Sequence, residues 1–315
     1  MARITMLKHS NSVTVSTAFD EFIQSCKTKN LSEKTIKNYS QQWKYFVLWF
    51  DSDRVCDISQ QTIQSYIQYM QRKEIAVESI NTALRHIRAV VNYFNTESYC
   101  QPVKIQLLKV EQKIKDCYTV EELSILLKKP DIPKCGFTEF RTWTIINFLT
   151  GTGIRVKSLV NVKIQDLDFV NGLVTITTTK TKRPQLLPIP DSLQTVLKLY
   201  LKHRQGESQD FLFPSESNTR LLETSVYHDV ERFNQSRGVD KKGLHLFRHT
   251  FGKQWVLNGG DVFRLQKQLG HSTLVMSQKY ANIWDSDLKS STQFNLLETL
   301  QTTTERIGMV RKGKK

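Results

Sequence analysis

This 315-residue chain has no CxxC pair, no low-complexity tract and no internal repeat, and acidic residues are scarce, 30 Asp+Glu against 45 Lys+Arg. Each absence excludes a class of protein. The five cysteines (Cys26, Cys56, Cys100, Cys117, Cys135) are odd in number and widely spaced. They therefore read as ordinary thiols of a reducing compartment, not as a disulfide framework or a zinc site. No stretch approaches the roughly 18 apolar residues of a membrane span, and Met1 to Ser12 lacks an apolar signal core. A cytoplasmic protein is expected. The acidic deficit leaves a formal net charge of +15, spread along the chain. Residues 1–110 hold 14 Lys+Arg against 9 Asp+Glu, and the remainder holds 31 against 21. A polyanion touching both halves, a nucleic acid above all, fits that spread. An anionic membrane surface fits it less well, since no basic amphipathic helix stands apart from the folded segments.

What is present is mostly helical pattern. Ala18, Phe19, Phe22 and Ile23 mark a first helix. Ile36, Tyr39, Trp43, Phe46 and Phe50 fall at spacings of three and four and mark a second. Ile63, Tyr66, Ile67 and Met70 mark a third, and Ile80, Leu84, Ile87, Val91 and Phe94 a fourth. These stripes read as core, not as base-stacking platforms. Lys34, Lys37, Lys44, Arg85 and Arg88 lie off the apolar faces. Singly each reads as solvated surface; together they are candidate phosphate contacts.

Residues 99–117, with Pro102 and scattered lysines, read as a linker between a helical domain at 13–98 and a second domain at 118–305. The second opens with a capping box at Thr119-Val120-Glu121-Glu122. A helix is expected near 138–149, broken by Gly151-Thr152-Gly153, with a short one starting near Arg155. Residues 173–189 are rich in β-branched residues and predict a small antiparallel hairpin turning at Thr181-Lys182-Arg183-Pro184. Further helices are expected at 191–204, 223–236, 244–257, 261–269, 274–281 and 286–302, and a basic tail at 306–315. The fold class is mainly α with one small β element.

The chemistry concentrates in His245-Leu246-Phe247-Arg248-His249, then Leu269-Gly270-His271, then Tyr280 nine residues later. The motif residues gather imidazoles, a guanidinium and a phenol with no carboxylate. His245 and Arg248, three apart, share a helix face, and His249 borders it. His245 and His249 have a metal-ligand spacing, yet no Glu follows His245 and an arginine lies between them, so no metal is expected. A phenol with a pKa near about 10 is a nucleophile only where cations or a base support it. Arg155, after a Gly-Thr-Gly break and close to a helix start, suits an anion. Lys180 sits near the hairpin tip, with Lys182 almost as well placed, and Lys182 and Arg183 are candidate DNA contacts.

Gly151-Thr152-Gly153-Ile154-Arg155, the Lys180 hairpin, HxxRH, LGH and Tyr280 together resemble the tyrosine recombinase (phage integrase) family over residues 118–285. The helical first half resembles its SAM-like four-helix core-binding domain in pattern only. The resemblance implies that Arg155 and Arg248 clamp the scissile phosphate and that His245 and His271 complete the cradle. It further implies that Lys180 protonates the leaving 5′ oxygen and that Tyr280 forms a 3′-phosphotyrosyl link. Neither metal nor ATP is needed, because one phosphate ester is exchanged for another. The implied partner is double-stranded DNA with specific core sites, held in a C-shaped clamp by a chain that is monomeric alone and tetrameric on DNA. Accessory DNA-bending or directionality factors and a nucleoid association are further implications. Residues 286–302 would pack in cis or pass to a neighbouring protomer. Only about a dozen residues precede the first helix, so a separate arm-site domain is not expected. That leans towards a Xer-like or mobile-element enzyme performing integration, excision or resolution through a Holliday junction. A type IB topoisomerase-like nicking-closing enzyme would use the same residues on one duplex, and an inactive DNA-binding regulator would need none of them. One departure stands out: the family commonly has Glu three residues after the first arginine, where this chain has Ser158.

Overall fold

The computed structural model describes residues 13–110, 116–178 and 184–271, with residues 273, 274 and 277 beyond. The chain divides into two compact units, residues 1–113 and 114–315.

In the first unit the 3.6-residue stripes become four helices: α1 (Val15–Thr28), α2 (Glu33–Trp49), α3 (Gln60–Arg72) and α4 (Val77–Thr96). Thr14, Ser32 and Ser59 cap the first three, each accepting a backbone N–H from a residue three positions on. Such a cap is worth about 1 kcal/mol. Trp43, Phe46 and Phe50 of the second stripe are buried, and the Phe46 ring meets Trp43, Phe50 and Tyr66. The stripes are core.

Residues 99–110, part of the segment read as a linker, pack on the first unit. Val103 and Ile105 are buried in the first unit's core. Two asparagines of α4 bind that extended segment through its backbone. The Asn95 amide donates to the Val103 carbonyl at 3.0 Å and accepts its N–H at 3.3 Å. Asn81 does the same with Leu108, at 2.9 and 2.8 Å. A helix face that carries asparagines among its apolar residues is a docking face for a strand-like segment, because a primary amide matches both backbone groups at once.

The second unit is built around α6 (Phe137–Thr152), whose residues from Phe140 to Ile146 are all buried. A helix covered on every side must sit at the centre of a bundle. It packs against α5 (Val120–Leu127), α8 (Asp191–Arg204), α9 (Glu223–Ser236) and α10 (His245–Leu257). The Thr119/Glu122 capping box of α5 forms in both directions. α6 does not break at Gly151. It runs to Thr152, and the glycine at 151 lets Leu193 of α8 approach to 3.1 Å from where a Cβ would stand. Gly153, at φ +62°, ends it. The short α7 (Val156–Leu159) follows. The expected hairpin is β2 (Leu173–Ile176) against β3 (Gln185–Pro188), antiparallel, and the two-residue β1 (Leu167–Asp168) adds a third strand beside β2. The last described helix is α11 (Val262–Leu269). The helices expected at 274–281 and 286–302 fall on or beyond the edge of the described residues, and the basic tail lies outside them. Among the described residues no helix is long and apolar enough to cross a membrane.

Candidate functional site

Four local structures bring the site residues together: the end of α6, the start of α7, the first turn of α10 and the end of α11. Gly153 makes the first junction possible. Its left-handed φ is open to glycine, and a Cβ there would lie 2.7 Å from Phe251 and 2.8 Å from Leu269. The chain thus turns sharply and sets Arg155 at the N-cap of α7. α10 is anchored through Tyr118, whose ring stacks on Phe247 at 4.4 Å and whose N–H donates to the Thr250 hydroxyl at 2.9 Å. That contact turns Arg248 inward, where it is 6% exposed.

Arg248 donates through Nη1 to the Gly153 carbonyl at 2.8 Å and through Nη2 to the Leu269 carbonyl at 2.6 Å. Arg155 reaches the same Leu269 carbonyl at 3.2 Å and the Gly270 carbonyl at 3.3 Å. Two guanidinia, far apart in sequence, therefore converge on one peptide oxygen. Backbone carbonyls thus hold both guanidinium planes. Among the described residues, no carboxylate lines the small cleft that the two arginines share.

His271 follows directly, held by the left-handed Gly270 that ends α11. It is 9% exposed, and its Nδ1 lies 2.8 Å from the Ser277 hydroxyl. Burial, and then the charges of Arg248, Arg155 and His249, push its imidazole down to about 4. It is neutral at physiological pH, first because it is buried and then because cations lie near it. His245 opens α10 and is exposed, while His249 is half-buried. Among the described residues no group of three His, Cys, Asp or Glu is placed to hold a metal ion.

Of the residues singled out from sequence, the structure gathers Arg155, Arg248 and His271 and sets His245 on the same helix as Arg248. Tyr280, Lys180, Lys182 and Arg183 lie outside the described residues. In the first unit Lys34, Lys37 and Lys44 on α2 and Arg85 on α4 are exposed, and Arg88 is half-buried. Sequence reasoning passed over Gln185 at the start of β3. Its side-chain amide donates to the carbonyls of Lys267 and Gln268, the latter at 2.9 Å. Ser158, noted only as a departure, is 8% exposed and donates its hydroxyl to the Thr178 carbonyl at 2.6 Å.

Residues 118–286, more than half of the chain, match the Phage integrase family. The chain belongs to that family. Residues 19–101 match the N-terminal SAM-like domain of phage integrases. Among proteins of similar sequence, the tyrosine recombinase XerA of Pyrococcus furiosus is 27% identical over 289 residues, covering 90% of this chain and 96% of that protein. The tyrosine recombinase XerD of Staphylococcus haemolyticus is 26% identical, covering 83% and 92%. Solved structures share the fold at lower identity. The Tn1549 transposon integrase in complex with circular intermediate DNA superposes with a TM-score of 0.70 at 17% identity, covering 87% of this chain and 98% of that one. A lambda integrase tetramer bound to a Holliday junction gives 0.69 at 16%, covering 86% and 78%.

Proposed function

We propose that this chain is a site-specific tyrosine recombinase that cuts and rejoins duplex DNA at core sites through a covalent tyrosyl intermediate. The observation that carries the reading is the convergence of Arg155 and Arg248 on the Leu269 carbonyl beside a neutral His271. Two guanidinia positioned by backbone carbonyls match the planar geometry of a phosphodiester's oxygens, and they are set before any reaction begins.

In this reading Tyr280 Oη attacks the scissile phosphorus and the bond from phosphorus to the 5′ oxygen breaks. The phenol proton passes to His245, and Lys180 protonates the departing 5′ oxygen. Arg155, Arg248 and His271 bear the charge that builds on the non-bridging oxygens. The products are a 3′-phosphotyrosyl adduct and a free 5′ hydroxyl. Attack by a 5′ hydroxyl from another strand reverses the chemistry and releases Tyr280. Since one phosphate ester replaces another, no external energy source enters. Four protomers on a Holliday junction, the assembly of the lambda integrase structure, are the assembly proposed for exchange. Lys34, Lys37 and Lys44 of α2 and Arg85 and Arg88 of α4 are the proposed phosphate contacts of the SAM-like domain, with residues 13–98 and 118–305 as the two domains.

The test is incubation with a nicked suicide duplex carrying a site enriched by binding from random duplexes, followed by denaturing electrophoresis. A covalent protein–DNA band is expected that Tyr280→Phe abolishes and EDTA leaves intact. A band that survives the substitution or needs magnesium refutes the reading.

A further inference from the structure

The last turn of a helix has carbonyls with no intrahelical partner, and something must satisfy them. At the end of α11 the carbonyls of Lys267, Gln268, Leu269 and Gly270 all receive side chains from other elements. Gln185 of β3 takes the first two. Arg248 of α10 takes the third, and Arg155 takes the third and the fourth. Three chain segments are thereby registered against one helix end. The contact is close: a Cβ on Gly270 would lie 2.8 Å from Gln185 Oε1 and 3.7 Å from Arg155 Nη1.

The other strand of the hairpin is tied as well. Ser158, on the α7 turn that Arg155 opens, donates to Thr178 just past the end of β2. Residues 179–183 join these two tied ends, and Lys180 is among them. β2 and β3 are four residues each, and their last register pair is Ile176 with Gln185. β1 and the buried Val174, Ile176 and Leu187 hold the body of the hairpin, and Ser158 and Gln185 hold its two open ends.

We propose that Ser158 and Gln185 are positioning residues that strap the two ends of the β2–β3 hairpin to the arginine cradle. They set the hairpin lysine relative to the phosphate. The inference rests on the reading of Lys180 as proton donor to the leaving oxygen. The contact needs a donor at position 158: a hydroxyl donates to the Thr178 carbonyl, which an ionised carboxylate cannot do.

Single-turnover cleavage is compared on two suicide duplexes, one ordinary and one with sulfur in place of the 5′-bridging oxygen at the scissile phosphate. A thiolate is a far weaker base than an alkoxide and leaves without a proton, so the second substrate does not need the lysine. Gln185→Ala, Gln185→Met and Ser158→Ala are expected to slow the ordinary substrate on the order of 10- to 100-fold. All three should cleave the sulfur substrate near the wild-type rate and bind uncleaved duplex as wild type does. Ser158→Thr, which keeps the hydroxyl, should retain activity on both. Wild-type rates on the ordinary substrate, equal slowing on both substrates, or loss of duplex binding in both Gln185 variants would overturn the inference. If the wild-type protein forms no Tyr280 adduct on either duplex, the recombinase reading itself fails instead.

Discussion

His271 offers a quantitative check on how the cradle is buried and charged. Its imidazole titrates at about 4 in the folded protein against an ordinary 6.5, chiefly because it is buried and then because Arg248 and Arg155 lie near it. Between those values the unfolded chain takes up a proton that the folded one refuses. Stability from this group is therefore complete above pH 6.5 and is lost as pH falls towards 4. At about 1.4 kcal/mol per pH unit the full loss is about 3 kcal/mol, and at pH 5 about 2 kcal/mol has gone. The assay is urea unfolding of the full chain at pH 7.5 and pH 5, for the wild type and for His271→Gln, which keeps an amide for Ser277 but does not titrate. The stability difference between the two proteins should shift by about 2 kcal/mol in favour of the variant at pH 5. Imidazole NMR should place the His271 midpoint near 4, and bound duplex should raise it, since a phosphodiester cancels part of the field. Equal pH slopes for the two proteins, or a midpoint at the ordinary value in the free protein, would refute the argument.

Other consequences are equally open to measurement. Asp229→Ala would strand Arg141, 3% exposed, without its 2.8 Å carboxylate partner. A loss of about 3–5 kcal/mol in urea unfolding is expected, and a loss below about 1 kcal/mol would show the pair to be idle. Gly153→Ala imposes a left-handed alanine, about 1–2 kcal/mol, and drives a Cβ against Phe251, about 1–3 kcal/mol more. Because the Gly153 carbonyl receives Arg248, suicide-substrate cleavage should fall as well, and unchanged stability would contradict the turn geometry. Lys37→Ala and Arg85→Ala should each weaken duplex binding alike for all sequences and lower the slope of log affinity against log salt by about 1. An unchanged slope would remove that residue from the phosphate contacts.

The parts legible in the sequence are those decided within a few residues. The Ile36-to-Phe50 stripe became a buried helix face, and the Thr119/Glu122 box formed as read, because helical period and capping act over one or two turns. The β-branched run at 174–176 became part of a strand for a similar reason. What failed to show depends on partners distant in the chain. Asn81 and Asn95 look like surface polar residues until the 103–108 segment lies against them. Gly151 reads as a helix break until Leu193 fills the space a side chain would have taken. Arg141 and Asp229 carry no mutual signal over the 88 positions between them.

The same division runs through the site. The proposed chemistry was read from the order and spacing of Arg155, His245, Arg248, His271 and Tyr280, because the phosphate clamp proposed here would need those groups whatever the surrounding fold. Their geometry was not. Only the tertiary structure brought both guanidinia to one carbonyl, buried His271 beside them, and gave Gln185 and Ser158 their places. Those contacts join residues from separate elements, and their energy arises when α6, α10, α11 and the hairpin pack together, which no local pattern encodes.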